Sequence, residues 1–146
     1  MNIRRFSKEI SGIMPHIHAS LIRALPNEIT KGKIGFPQMV IMDILLEKGR
    51  CKMSDLSRVI GVTKGAVTGI TDRLIAAGLL DRLRSGVDRR IVYTMLTKRG
   101  IRISKKIRNH KLNTISALFS SISRGERDQY LRIMKKLQKK MKAKGK

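Results

Sequence analysis

The sequence predicts a mainly α-helical chain with one small β-hairpin. Three observations predict it. Apolar residues recur at spacings of three and four along most of the 146 residues, the signature of one-sided helices. The period drops to two only around residues 80–96, as a half-buried hairpin requires. Gly49, Gly61 and Gly78 fall just past the ends of periodic runs, where helices stop. The length suits one domain or one domain with helical extensions, and no internal repeat is visible.

The first run is Ile3, Phe6, Ile10, Ile13, Ile17, Leu21 and Leu25, one face of a helix. Pro15 lies inside it and is expected to kink or divide the helix, because proline lacks the N–H and crowds the preceding turn. Pro26-Asn27 ends the segment, and 31–35 reads as a loop. Pro37 opens a second helix, where a missing N–H costs nothing. Val40, Ile41, Ile44 and Leu45 form its apolar face. A third helix follows Met53, with Ser54 as N-cap and Leu56, Val59 and Ile60 facing inward. Thr63 caps a fourth helix, about 64–77, with Val67, Ile70, Leu74 and Ile75 as its buried stripe. Residues 80–83 and 91–96 read as two strands around a polar, basic, Gly-containing tip. Thr97 caps a long helix bearing Ile101, Ile107, Ile115, Leu118, Phe119 and Ile122. Ser123 caps the last, with Leu131, Met134, Leu137 and Met141 in phase.

Charge narrows the function. There are 33 Lys+Arg against 10 Asp+Glu, a net +23, which points to a polyanionic partner. Residues 1–36 and 37–96 each carry a net +4, whereas 97–146 hold 17 basic and 2 acidic side chains, net +15. The end of that segment, 139–146, is expected to fray. Its lysines read equally as a solvated face or as a nucleic-acid contact, and in both cases speed encounter with DNA. Aromatics are 3% and Trp is absent, which argues against single-strand binding by base stacking. A single cysteine excludes a disulfide framework and multi-Cys metal sites. His16 and His18, two apart, do not face one another on a helix, so no metal site is expected. No apolar run approaches the ~18 residues of a membrane span, and the N-terminus lacks a signal-peptide core, so a cytoplasmic protein is expected. Paired carboxylates, a nucleophile with its base and a phosphate-cradling Gly-rich loop are missing from the sequence, so neither an enzyme nor a cofactor is expected.

Two short helices joined through Gly61-Val62 and followed by a hairpin make a winged helix-turn-helix. The second helix of such a pair fits a major groove of duplex DNA. Candidate contacts are therefore Ser54, Thr63, Lys64, Gly65, Thr68, Thr71 and Arg73. Gly65 and Gly69 cost a helix interior roughly 1 kcal/mol each relative to Ala. Either a partner approaches closely there, or the glycines permit packing against the hairpin or the preceding helix. The hairpin tip gathers Arg84, Asp88, Arg89 and Arg90. An arginine in a narrow minor groove gains from the concentrated negative potential. Asp88 either holds the guanidinium of Arg90 or only forms the turn.

The run Ser54-Asp55-Leu56 to Gly61, then 62–74, Ala77-Gly78-Leu79-Leu80, Asp88-Arg89-Arg90 and Leu96-Thr97-Lys98-Arg99-Gly100 resembles the MarR family of bacterial transcriptional regulators. The resemblance covers about residues 34–100 and extends to the order of the flanking helices. It implies a two-fold homodimer built from helices at both chain ends, Arg90 in the minor groove and the helix from Thr63 in the major groove. It also implies release of DNA by a small-molecule effector, of a kind no residue here identifies. Many relatives carry arginine where Gly69 stands. Some sense oxidants through cysteine, but Cys51 lies in the turn before the third helix and is expected to be inert.

The expected organisation is an N-terminal dimerisation segment (1–36), a winged helix-turn-helix (37–96) and C-terminal dimerisation helices with a basic tail (97–146). The expected function is sequence-specific binding of a pseudo-palindromic duplex, as a repressor. The alternatives are an architectural protein that coats nucleic acid with little sequence preference, and a basic module that captures an acidic protein.

Overall fold

The computed structural model describes residues 1–23 and 34–144. The expected stop at Pro26-Asn27 and most of the loop after it lie outside the described residues. The elements are α1 (Ile3–Arg23), α2 (Phe36–Lys48), β1 (Arg50–Lys52), α3 (Met53–Ile60), α4 (Lys64–Ala76), β2 (Leu80–Arg84), β3 (Val92–Leu96), α5 (Lys98–Phe119) and α6 (Arg124–Lys144). The chain forms two compact units, 1–111 and 112–146. Among the described residues no helix is long and apolar enough to cross a membrane.

In the first unit α1 runs through Pro15 without dividing. One lost donor is absorbed by a helix of 21 residues, whose start is capped by the Asn2 side chain accepting the Arg5 N–H at 2.9 Å. Pro37 sits in the first turn of α2, and the Gln38 side chain accepts the Gly35 N–H at 3.2 Å. Gly49 (φ 78°) ends α2 and turns the chain into β1.

β1 corrects the two-strand expectation. The sheet has three strands in the order β1-β3-β2, all antiparallel. Cys51 pairs with Thr94 rather than lying in a turn. Three residues are too few to display a period, so only the pairing with β3 reveals the strand. The same pairing moves the start of α3. It begins at Met53, whose sulfur accepts the buried Thr94 hydroxyl at 3.1 Å, and Ser54 lies inside the first turn rather than capping it. Val59 faces solvent instead of the core, because an eight-residue helix has only about two turns and Leu56 takes the inward position.

The core joins α2, α3, α4 and the sheet through Ile41, Met42, Leu45, Leu56, Val67, Leu74 and Leu80, each 1% exposed or less. Burying each such side chain contributes about 1.5–3 kcal/mol. The Thr63 hydroxyl accepts the Ala66 N–H at 3.2 Å and caps α4 as expected. Gly78 (φ 69°) closes α4. Thr97 caps α5: its hydroxyl accepts the Gly100 N–H and donates to the Gly78 carbonyl, both at 2.9 Å. Ser104 and Ile107 of α5 are buried in this unit, and Arg108 ion-pairs with Asp43 of α2 at 2.6 Å.

In the second unit Ser123 and Glu126 form a reciprocal cap. The Glu126 carboxylate accepts the Ser123 N–H at 2.9 Å and its hydroxyl at 2.6 Å. Phe119 and Tyr130 meet with ring centroids 5.3 Å apart. The tail expected to fray is helical as far as Lys144, because α6 continues the apolar phase of Leu131, Met134, Leu137 and Met141 without a break.

Candidate nucleic-acid interface

The outer side of α4 carries Lys64, Gly65, Thr68 and Gly69, all exposed. The Thr68 hydroxyl donates to the Lys64 carbonyl at 2.9 Å, which leaves its lone pairs facing outward. A Cβ built on Gly65 or on Gly69 meets nothing within 4 Å. That removes the packing explanation for both glycines. The helix backbone at both positions lies open. Ser54 is exposed on α3, and Arg73 is exposed near the end of α4.

Thr71 does not belong to this set. It is fully buried, and its hydroxyl donates towards the Val67 and Thr68 carbonyls at 3.0 and 2.9 Å. The sequence expected it at a base edge. Its place three and four residues from Thr68 and Val67 turns it inward, and as a small residue with local acceptors it needs no solvent.

Arg82, on β2, is one residue that sequence reasoning missed. Its Nη2 donates to Thr71 Oγ1 at 3.1 Å and to Asp72 Oδ1 at 2.6 Å. Asp72 is the only carboxylate on α4 and is half exposed. Unpaired, it would repel a phosphate. The guanidinium cancels that charge and ties α4 to the hairpin at the same time. An acid inside the otherwise basic α4 was the signal that a cation stands beside it.

The hairpin tip is closed by its own hydrogen bonds. The Ser85 hydroxyl accepts the N–H of Val87 (3.2 Å) and of Asp88 (3.3 Å), and the Asp88 carbonyl accepts the Ile91 N–H at 2.9 Å. Asp88 Oδ1 accepts both the Arg90 N–H at 2.9 Å and its Nε–H at 3.3 Å. Asp88 thus forms the turn and holds the guanidinium together. The Arg90 side chain remains 93% exposed, oriented but unburied. Arg89 and Arg84 are exposed beside it, with no ion-pair partner among the described residues.

A cleft of about 300 Å³ links these parts. Lys52 from β1, Ser54 from α3, Lys64 from α4 and Arg90 from the hairpin all line it. Met53, Ile91 and Val92 share the lining, so three basic residues and a serine border a partly apolar cleft, residue types that suit a phosphate oxygen. Lys52 was not singled out from sequence, since β1 was not visible. Cys51, its neighbour, is buried beneath the sheet, and burial pushes its thiol up from the usual range, the reverse of a reactive thiolate.

Three helices, the second pair tightly turned, with a hairpin projecting beside the exposed helix, define a winged helix-turn-helix protein. Over residues 36–92 the chain matches the sequence model of the MarR family. It is 27% identical over 119 residues to the uncharacterized HTH-type transcriptional regulator YpoP of Bacillus subtilis, covering 82% of this chain and 84% of that one. It is 32% identical over 84 residues to the transcriptional repressor MprA of Escherichia coli K12, spanning 58% of this chain and about half (48%) of that protein. The fold resembles Streptococcus pneumoniae FabT crystallised in complex with DNA, with a TM-score of 0.80, 20% identity and coverage of 97% and 99% of the two chains. It also resembles an Escherichia coli MarR mutant complexed with operator DNA, at a TM-score of 0.75, 20% identity and coverage of 94% and 99%. Both relatives are named as regulators of transcription.

Proposed function

We propose that this chain is a homodimeric repressor of transcription that reads a pseudo-palindromic duplex, acting in the cytoplasm where the chromosome lies. α4 enters the major groove, presenting Thr63, Lys64, Gly65, Thr68 and Gly69, while Arg73 and Ser54 reach phosphates. The hairpin lies over the minor groove, with Arg90 inserted and Arg84 and Arg89 along its walls. Lys52, Ser54 and Lys64 seat a backbone phosphate between the two. The observation that carries the reading is Arg90, held by Asp88 at two points yet 93% exposed. A cation steered by one 3.3 Å hydrogen bond and otherwise left in water fits an external anion.

Dimerisation is supported by apolar stripes that have no cover. On α1, Phe6, Ile10, Ile13 and Ile17 are exposed, and on α6, Leu131, Met134 and Leu137 are about half exposed. Contiguous apolar surface of this kind marks an association site. A two-fold dimer would bring two copies of α4 to successive major grooves, about 34–36 Å apart.

An effector has a candidate seat between α2 and α5. A cavity of about 180 Å³ is walled by Met39, Met42 and Ile107, with Arg108 and Lys111 also lining it. The buried Ser104 hydroxyl, another lining group, has no hydrogen-bond partner. Asp43 and Glu47 share the lining, and Asp43 already pairs with Arg108 and Lys111, so the apolar walls and the one unsatisfied hydroxyl suit a compact molecule with a polar end. Drug-sized ligands need roughly 300–1,000 Å³.

The test is selection of bound duplexes from a random pool, followed by affinity of the winning site for Arg90→Ala at fixed salt. A symmetric site and a loss of about tenfold or more, ~1–3 kcal/mol, are expected. An Arg90→Ala protein that binds as tightly as the parent removes the hairpin from the interface. Equal competition by random DNA would favour the coating alternative.

A further inference from the structure

We propose that α6 carries a second nucleic-acid surface, a lysine face that binds the phosphate backbone of duplex DNA without reading its sequence. It rests on the DNA-binding reading only for the choice of partner. The surface itself lies in the 112–146 unit, while the winged module lies in the other.

Counter-charge in this part of the chain is used up early. The 17 cations of residues 97–146 face two acids, Glu126 and Asp128. Glu126 is held by the Ser123 cap, and Asp128 stands 4.0 Å from Arg124. No acid follows Asp128. Arg132, Lys135, Lys136, Lys139 and Lys140 then share one side of α6, all exposed and without a carboxylate partner among the described residues. The other side carries the apolar stripe of Leu131, Met134, Leu137 and Met141.

Like charges four apart, as in Arg132/Lys136, Lys136/Lys140 and Lys135/Lys139, repel each other and weaken an isolated helix. Helix propensity does not demand them, since Gln or Glu serves about as well as Lys. The helix dipole favours cations towards the C-terminus of α6, and a polyanion would offset the repulsion that remains. Cations four residues apart advance about 6 Å along the helix, near the advance of two phosphates along one DNA strand. A lipid surface is the poorer match. α6 has neither Trp nor Phe to bury in a bilayer interface, and its apolar stripe is already assigned to the dimer.

The experiment measures binding of the full chain to a random-sequence 30-base-pair duplex across a salt series, for the parent, K135Q/K136Q/K139Q/K140Q and Arg90→Ala. The quadruple variant should bind at least about tenfold more weakly at low salt. The slope of log affinity against log salt should fall by about 2 or more. The same drop should appear when the quadruple change is added to Arg90→Ala. The variant with all four lysines changed to Arg should keep parental binding, with circular dichroism and sedimentation mass unchanged in both sets. An unchanged slope in the quadruple variant overturns the proposal. So does loss of binding to phosphatidylglycerol vesicles with duplex binding intact, which would assign α6 to a membrane. Failure of Arg90→Ala alone to weaken a selected site would count against the winged interface and leave α6 standing.

Discussion

Gly69→Ala and Gly100→Ala make the same chemical change on two helices and should move stability in opposite directions. At Gly69 the new methyl group meets nothing within 4 Å, so the variant gains helix propensity, about 1 kcal/mol. For a chain of this size that raises Tm by about 4 °C. At Gly100 the Cβ would overlap the Leu79 carbonyl oxygen and lie 3.1 Å from Leu96 Cδ2. The backbone there cannot retreat easily. The Thr97 N–H donates to that same Leu79 carbonyl at 3.1 Å, and the Thr97 hydroxyl ties α5 to Gly78. The propensity gain is therefore outweighed, and a net loss of about 1–3 kcal/mol is expected from overpacking. Urea and thermal unfolding at one fixed protein concentration measure both, since a dimer's stability depends on concentration. A destabilised Gly69→Ala, or a Gly100→Ala as stable as the parent, would refute the steric account. Gly69→Ala also tests the interface. If a duplex approaches the backbone of α4, the stabilised protein should bind its selected site more weakly. Equal or tighter binding would remove close approach as the reason for the glycine.

Two other outcomes follow from single contacts. Arg82→Met strips Asp72 of its 2.6 Å partner, and affinity for a selected duplex should fall about tenfold through phosphate repulsion, ~1.4 kcal/mol; adding Asp72→Asn should restore most of it in an anisotropy titration. Similar binding by the single and double variants would sink the charge-cancelling role. Burial would raise the Asp43 carboxyl, but hydrogen bonds and charge from Lys111 and Arg108 outweigh that and hold it below the ordinary aspartate range. A carboxyl lowered on folding adds stability above its unfolded pKa and loses it as pH falls through the folded value. Asp43→Asn should therefore cost about 1 kcal/mol near pH 7, the pair being partly screened by solvent. The gap should begin to shrink as pH falls below the ordinary aspartate range and close once pH has passed the lowered folded-state value. A gap that does not change with pH would mean that the ion pair is not its source.

Periodicity alone located most helices and the hairpin, because one-sided burial writes itself directly into residue spacing. Thr63, Thr97 and Ser123 were legible as caps for the same local reason: a hydroxyl and the N–H it accepts lie within three residues. The hairpin tip was likewise readable, since Asp88 and Arg90 are two residues apart. β1 was not readable, because three residues show no period and the strand exists only through pairing with β3, some forty residues on. From that one absence came the misplaced Ser54 cap, the turn assigned to Cys51 and the omission of Lys52. Thr71 went wrong differently. Its polarity suggested a base contact, while its position on α4 put it in the core.

The chain's own order of residues determined the class of fold, the charge that calls for a polyanion, and the arginine-rich tip, all of which depend on neighbours within a few positions. Only the tertiary structure decided which side of α4 is open, which cation cancels Asp72, and that Gly69 faces space while Gly100 faces a carbonyl. Those depend on segments far apart in sequence meeting in space, and spacing along a chain carries no record of such distances.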